Sequence, residues 1–201
     1  MLSKVISFGL NGIEGYKITV EIDLTNGMPN YETVGLPDAS VKEGKERIRS
    51  AIMNCGLSYP AARITVNLAP ADTKKEGSMY DLPIAVGILC ASDVINYEKS
   101  QKFAYIGELS LDGTLQKLNG VLPILISARE MGIKDIIIPK ANENEASYIN
   151  GLNIIAVQNL TELVQFLNSE IELEPIKIKS YTAILNAQRS FNDFKYIKGQ
   201  A

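Results

Sequence analysis

The sequence predicts an α/β fold, an α+β two-layer arrangement, on three observations. Ile64, Val66 and Leu68 alternate with Thr65 and Asn67, the period of a strand with one buried face. Leu82, Ala85, Val86, Leu89 and Cys90 recur at helical spacing. Near the C-terminal end, the apolar runs DIIIP and NIIAV flank a short polar helix around Asn142 to Tyr148, a strand–helix–strand unit suited to parallel pairing. This order predicts a sheet on one side and helices largely on the other.

The elements follow in chain order. MLSKVISFGLNGIEGYKITVEIDL alternates in character and holds Asn11 and Gly12 at its centre, so it reads as two strands around a turn rather than a signal peptide. A third strand lies near Tyr31 to Gly35. Leu36, Pro37 and Asp38 then give a turn and an N-cap for a helix that ends around Gly56, with Val41, Ile48, Ile52 and Cys55 as its buried stripe. Strand Ile64–Leu68 leads through a polar loop from Ala69 into a helix that tolerates Pro83 only near its start. Phe103 to Gly107 reads as a strand, Leu109 to Leu118 as a hairpin turning near Asp112 and Gly113, and Leu122 to Met131 as a helix stopped by Gly132. Thr161 to Leu167 closes the domain, placed at residues 1–169. Residues 170–201, which lose a clear apolar period around Pro175, read as a connector and the start of something else.

Composition narrows the function classes. A chain of 201 residues buries a sizeable core, and its net charge of −3 does not announce a nucleic-acid binder, so any such site is a local patch. Cys55 and Cys90 sit in apolar patterns and read as reduced thiols; with no histidine in the chain, no zinc site is expected. No run is long enough to span a bilayer, and the expected location is cytoplasmic. No Gly-x-x-x-x-Gly-Lys-(Ser/Thr) phrase occurs, so no cofactor is expected on these residues.

Two basic groups stand out. Lys42, Lys45 and Arg49 fall at i, i+3 and i+7 of the first helix, gathered on one face; Glu43 and Glu46 partly neutralise them, so the stripe reads either as a solvated face or as a phosphate contact. Lys74 and Lys75 lie beside Gly77 and a helix start, where unpaired N–H groups favour an anion, although solubility explains exposed loop lysines equally well. No aromatic residues interleave with the lysines, so contact with nucleic acid would be through the backbone.

The phrases VGLPDASVKEGKERIRSAIMNCGLSYPAARITVNLAPADTKKEGSMYDLPIAVGIL and IGELSLDGTLQKLNGVLPI closely resemble the N-terminal, ChlI-type domain of the ComM/YifB family of Mg-chelatase-like proteins. That domain in turn is similar to the proteolytic domain of Lon proteases and to the C-terminal domain of RadA. The resemblance implies the Lon-protease-like variant of the ribosomal protein S-five domain-2-like fold. The Lon turn Lys-Asp-Gly-Pro-Ser-Ala-Gly aligns with Lys75 to Asp81, so the nucleophile position holds Met79; with Gly107, Glu108, Gly113 and Gly120 as landmarks, the catalytic-lysine position holds Leu122. A serine–lysine dyad needs a hydroxyl and a desolvated amine, and neither side chain supplies one. Ser78, approached by Lys74, Lys75 or Lys117, is the remaining route to a displaced dyad. Its competing role is to cap the helix, with Asp81 completing a capping box.

In the tail, Asp193, Phe194, Ile197, Gly199 and Gln200 match a phrase that opens the AAA+ ATPase module in this family. The resemblance implies a hexameric AAA+ motor, using ATP and Mg2+ in that module, that acts on DNA in branch migration during natural transformation. The expected role of residues 1–169 is a pseudo-protease collar whose partners are its own ATPase module, neighbouring subunits and DNA, with no membrane. The alternatives are a protein-interaction adaptor that never touches DNA and a Ser78-dependent peptidase. Porphyrin metal insertion would require a large apolar pocket and a metal-delivering group, for which the sequence offers no candidate.

Overall fold

The computed structural model describes residues 1–179. In chain order the strands and helices are β1 (Leu2–Asn11), β2 (Glu14–Thr25), β3 (Asn30–Val34), α1 (Ala39–Asn54), β4 (Arg63–Ala69), α2 (Asp81–Ala91), α3 (Tyr97–Ser100), β5 (Ala104–Tyr105), β6 (Glu108–Leu109), β7 (Leu115–Gln116), α4 (Val121–Glu130), β8 (Asp135–Pro139), α5 (Glu143–Ala146), β9 (Asn153–Val157) and α6 (Leu160–Leu167). A seven-stranded sheet runs β3-β4-β2-β1-β5-β8-β9, and β6 and β7 form a separate hairpin. β1 and β2 pair antiparallel, as do β2 and β4. The remaining neighbours, β3 with β4, β1 with β5, β5 with β8 and β8 with β9, pair parallel. The expected α/β class is therefore the observed one.

Alternation along the strands sorts side chains into two cores. Val5, Tyr105, Ile137 and Ile155 face the larger core with α1, α2 and α6. Their neighbours Ala104, Ile136, Ile138 and Ile154 face a second core with Phe8 and with Val121, Ile124, Leu125 and Ala128 of α4. Because successive residues of a strand point to opposite faces, the continuous apolar runs of β8 and β9 mark strands covered on both sides. The sheet thus carries helices on both faces at β1 and β2, where α2 packs on one side and α4 on the other, and at β5, β8 and β9, while β3 and β4 face the larger core alone.

Local signals explain the helix ends. Asp38 accepts a 2.8 Å hydrogen bond from the Val41 amide and starts α1, and Gly56, at φ +72°, follows its end. Asn159 caps α6 in the same way, through the Glu162 amide at 2.9 Å. Every residue of α2 is buried, since the helix lies between α1 and strands β1 and β2.

Residues 170–179, expected as the start of a connector, lie along the domain. Ile171 and Leu173 pack against the larger core, whereas Ile176 is buried in the second and its amide donates to the Ile154 carbonyl at 2.8 Å. Asp193, Phe194, Ile197, Gly199 and Gln200, expected from the resemblance to open an AAA+ module, lie outside the described residues. Among the described residues, no helix is long and apolar enough to cross a membrane.

Candidate functional site

The loop between β4 and α2 is organised around Lys75. Its ammonium donates to the Thr73 carbonyl at 2.7 Å and to the Pro70 carbonyl, its side chain is fully buried, and burial pushes its pKa down. Its backbone bridges to the start of α1: the Lys75 amide donates to the Leu36 carbonyl at 3.1 Å and the Asp38 amide to the Lys75 carbonyl at 3.0 Å. The expectation that Lys75 meets a phosphate is corrected by this placement, because a buried ammonium already bound to two carbonyls has no face to offer one. Lys74 remains exposed and pairs with Glu76 at 2.6 Å.

The next turn holds the position of the Lon nucleophile. Ser78 does not cap α2: Tyr80 occupies the cap position without a side-chain hydrogen bond, and the Ser78 hydroxyl donates to the Glu108 carboxylate instead. The helix begins without a capping box because the β5–β6 connection covers its first turn. Gly107 donates to the Met79 carbonyl at 2.9 Å and accepts from the Leu82 amide at 2.9 Å. Met79 is half-buried and packs against both cores, the second of which includes Val121. Leu122, one residue further on, is 38% exposed on the first turn of α4.

Behind this turn sits an ion pair that sequence reasoning missed. The Asp81 carboxylate accepts from Arg47 Nε at 2.7 Å, from Arg47 Nη2 at 3.1 Å and from the Leu109 amide at 3.3 Å, while Arg47 Nη2 also donates to the Ser40 carbonyl at 3.1 Å. Burial pushes the Asp81 pKa up to about 6, against the opposing pull of Arg47, and the hydrogen bond to Asp81 raises the Arg47 pKa. The signal in the sequence was Gly44: a Cβ there would stand 2.5 Å from Asp81 Oδ1, so a glycine inside a helix marks a close approach.

The basic stripe stands apart from that turn. Lys42 and Arg49 are exposed and make no ion pair among the described residues. Lys45 approaches Glu46 at 3.9 Å and stands 5.8 Å above the Tyr31 ring, within cation–π range. Arg49 and Lys45 line a cavity of about 650 Å3 between the outer half of α1 and β3.

As for metals and nucleotides, no three His, Cys, Asp or Glu side chains gather among the described residues. Among the described residues, the loop between β4 and α2 therefore offers no carboxylate cluster that fits Mg2+, and its Lys75 ammonium, held by carbonyls, does not fit a nucleotide phosphate. What the arrangement does chemically is hold a loop rigidly, through Asp38, Lys75, Ser78–Glu108 and Arg47–Asp81.

A family described as subunit ChlI of Mg-chelatase matches residues 20–142. The competence protein ComM of Haemophilus influenzae is 45% identical over 172 residues, covering 86% of this chain and 34% of that protein. YifB of Escherichia coli is 42% identical over 163 residues, covering 81% and 32%. Lon protease 2 of Bacillus subtilis is 26% identical over 162 residues, covering 76% and 29%, in keeping with the Lon-like fold. The chain therefore spans about a third of the length of the curated relatives it matches. On the family match and the two nearer similarities, the chain belongs to the Mg-chelatase-like family of ComM and YifB.

Proposed function

We propose that this chain is a non-catalytic domain of a ComM-type protein, assisting assembly of a cytoplasmic AAA+ ATPase ring and its engagement of DNA. The observation that carries the reading is the turn at Met79: a thioether packed against both cores stands where a Lon-like alignment expects a nucleophile. The hydroxyl beside it, Ser78, is held by a carboxylate rather than approached by an amine. ATP and Mg2+ belong to the ATPase module of the parent, a homo-hexamer in this reading, and the competence named in one relative agrees with a DNA-handling role.

DNA engagement rests on Lys42, Lys45 and Arg49 of α1. Anisotropy titration with single-stranded and forked DNA, at low and moderate salt, tests it. Removing one phosphate-binding cation, as Lys42→Ala or Arg49→Ala does, should flatten the logarithmic salt slope by roughly 0.7 to 0.9. Binding that ignores both salt and these substitutions overturns the DNA half. The adaptor reading without DNA is favoured by one observation, the engagement of both Lys74 and Lys75 within the loop itself. Peptide cleavage by the ATPase-containing parent that disappears in Ser78→Ala and survives in Met79→Ala would overturn the non-catalytic half.

A further inference from the structure

β3 is an outer strand of the sheet, so one row of its backbone amides and carbonyls is without a strand partner. It is also flanked by apolar side chains left in water. Met28 precedes it at 88% exposure, Val34 ends it, Leu36 follows it, and all are exposed. Single exposed apolar residues are ordinary, but here they stand at both ends of an unpaired strand edge, Met28 before it and Val34 and Leu36 after the polar Asn30 and Glu32, where an added strand would cover them.

Next to this edge opens the cavity of about 650 Å3, whose walls include Tyr31, Leu57, Tyr59 and the exposed Met53, with Lys45 and Arg49 at one side. The Tyr59 hydroxyl in that wall is shielded from solvent and has no hydrogen-bond partner among the described residues. Burial pushes its pKa up to about 12, so it is a hydrogen-bond donor without an acceptor. Two cations and an unused phenol suit an anionic oxygen, and the apolar cleft beside them favours one carried as a carboxylate on an otherwise apolar chain.

We propose that the β3 edge and this cavity form a docking groove for an extended acidic peptide segment of a partner protein. The segment adds to the sheet beside β3 and sets one carboxylate between Lys45 and Arg49. Backbone hydrogen bonds along β3 supply affinity; Met28, Val34 and Leu36 cover the apolar side chains of the added strand; Lys45, Arg49 and the Tyr59 hydroxyl select the acid. The Arg49 side chain is exposed and without an ion pair among the described residues, so it is available to the carboxylate. This goes beyond the DNA-engaging role and does not depend on it.

The test is fluorescence anisotropy of the protein with an acetylated, amidated and fluorescein-labelled heptapeptide, Val-Glu-Val-Glu-Val-Glu-Val. Saturable binding is expected. The lysine counterpart, and the same acidic peptide N-methylated on alternate amides, should each bind at least roughly tenfold more weakly. Arg49→Glu should weaken the acidic peptide by a similar factor. Tyr59→Phe should weaken it roughly fivefold without lowering the unfolding temperature, because the hydroxyl has no partner to lose in the free protein. Absence of saturable binding, equal binding of the lysine or N-methylated peptide, or wild-type affinity in both Arg49→Glu and Tyr59→Phe overturns the proposal. Tyr59→Phe acts on the peptide titration alone and Lys42→Ala on the DNA titration alone, so either reading fails without the other.

Discussion

Asp81 keeps its proton far above the ordinary carboxylate range because burial outweighs the guanidinium beside it. The folded state binds that proton more tightly than the unfolded chain does. Its stabilisation is therefore full below the ordinary value of 3.8 and is lost as the pH rises through about 6. That gap corresponds to about 3 kcal/mol at full effect. Urea unfolding of wild type and Asp81→Asn between about pH 4 and about pH 7 should show the wild type losing ground to the variant by up to that amount; a difference independent of pH would mean that Asp81 stays ionised. Lys75 makes a second prediction. In Lys75→Met the Pro70 and Thr73 carbonyls lose their buried donor, which should cost about 1–3 kcal/mol in unfolding free energy and leave the DNA titration unchanged. The sequence showed Lys75 beside Gly77 but not the two carbonyls that wrap it, because a loop closing on its own side chain leaves no periodic trace. Ser78 was legible as a hydroxyl at a helix start. Its partner Glu108, thirty residues on, was legible only as a landmark, since long-range pairing does not show in local spacing.

At the scale of elements, α2 tests how far local preference yields to packing. Gly87 sits inside that helix, where alanine is preferred by roughly 1 kcal/mol on intrinsic grounds. A Cβ at Gly87 would stand 2.5 Å from Ile22 Cγ1, one bond from the branched Cβ on the strand backbone and with little freedom to retreat. Gly87→Ala should therefore destabilise by about 1–3 kcal/mol in thermal or urea unfolding, and a stabilised variant would show that β2 relaxes. The same sandwiching explains what periodicity conveyed imperfectly: α2 reads as one-sided in sequence, yet all its residues are buried because sheet and α1 cover opposite sides. By contrast α1 was legible from end to end, since Asp38 and Gly56 are local signals with local causes. The single-turn α3 escaped because four residues hold too little period to register.

For the whole molecule, the two cores share strands, so neither unfolds without uncovering the other. Leu89→Ala in the larger core and Ile124→Ala in the second should each cost about 2–5 kcal/mol. Each should keep one cooperative transition, with the double variant close to the sum; separate transitions would mean that the faces melt independently. The second core was hard to foresee because α4 carries the same apolar period whichever face of a sheet it covers. The segment after α6 bears on mechanics. It passes from the side of Leu167 to the side of Ile176, held on the way by the edge strand β9, and the Lys179 amide donates to the Ser147 carbonyl at 2.8 Å. Lys179, the last described residue, thus lies on the α5 side. Ten extended residues have a reach of at most about 36 Å, and that slack is reeled in against the body, so a pull applied at Lys179 is borne first by its bond to Ser147, then by the Ile176 anchor, and only afterwards by α6.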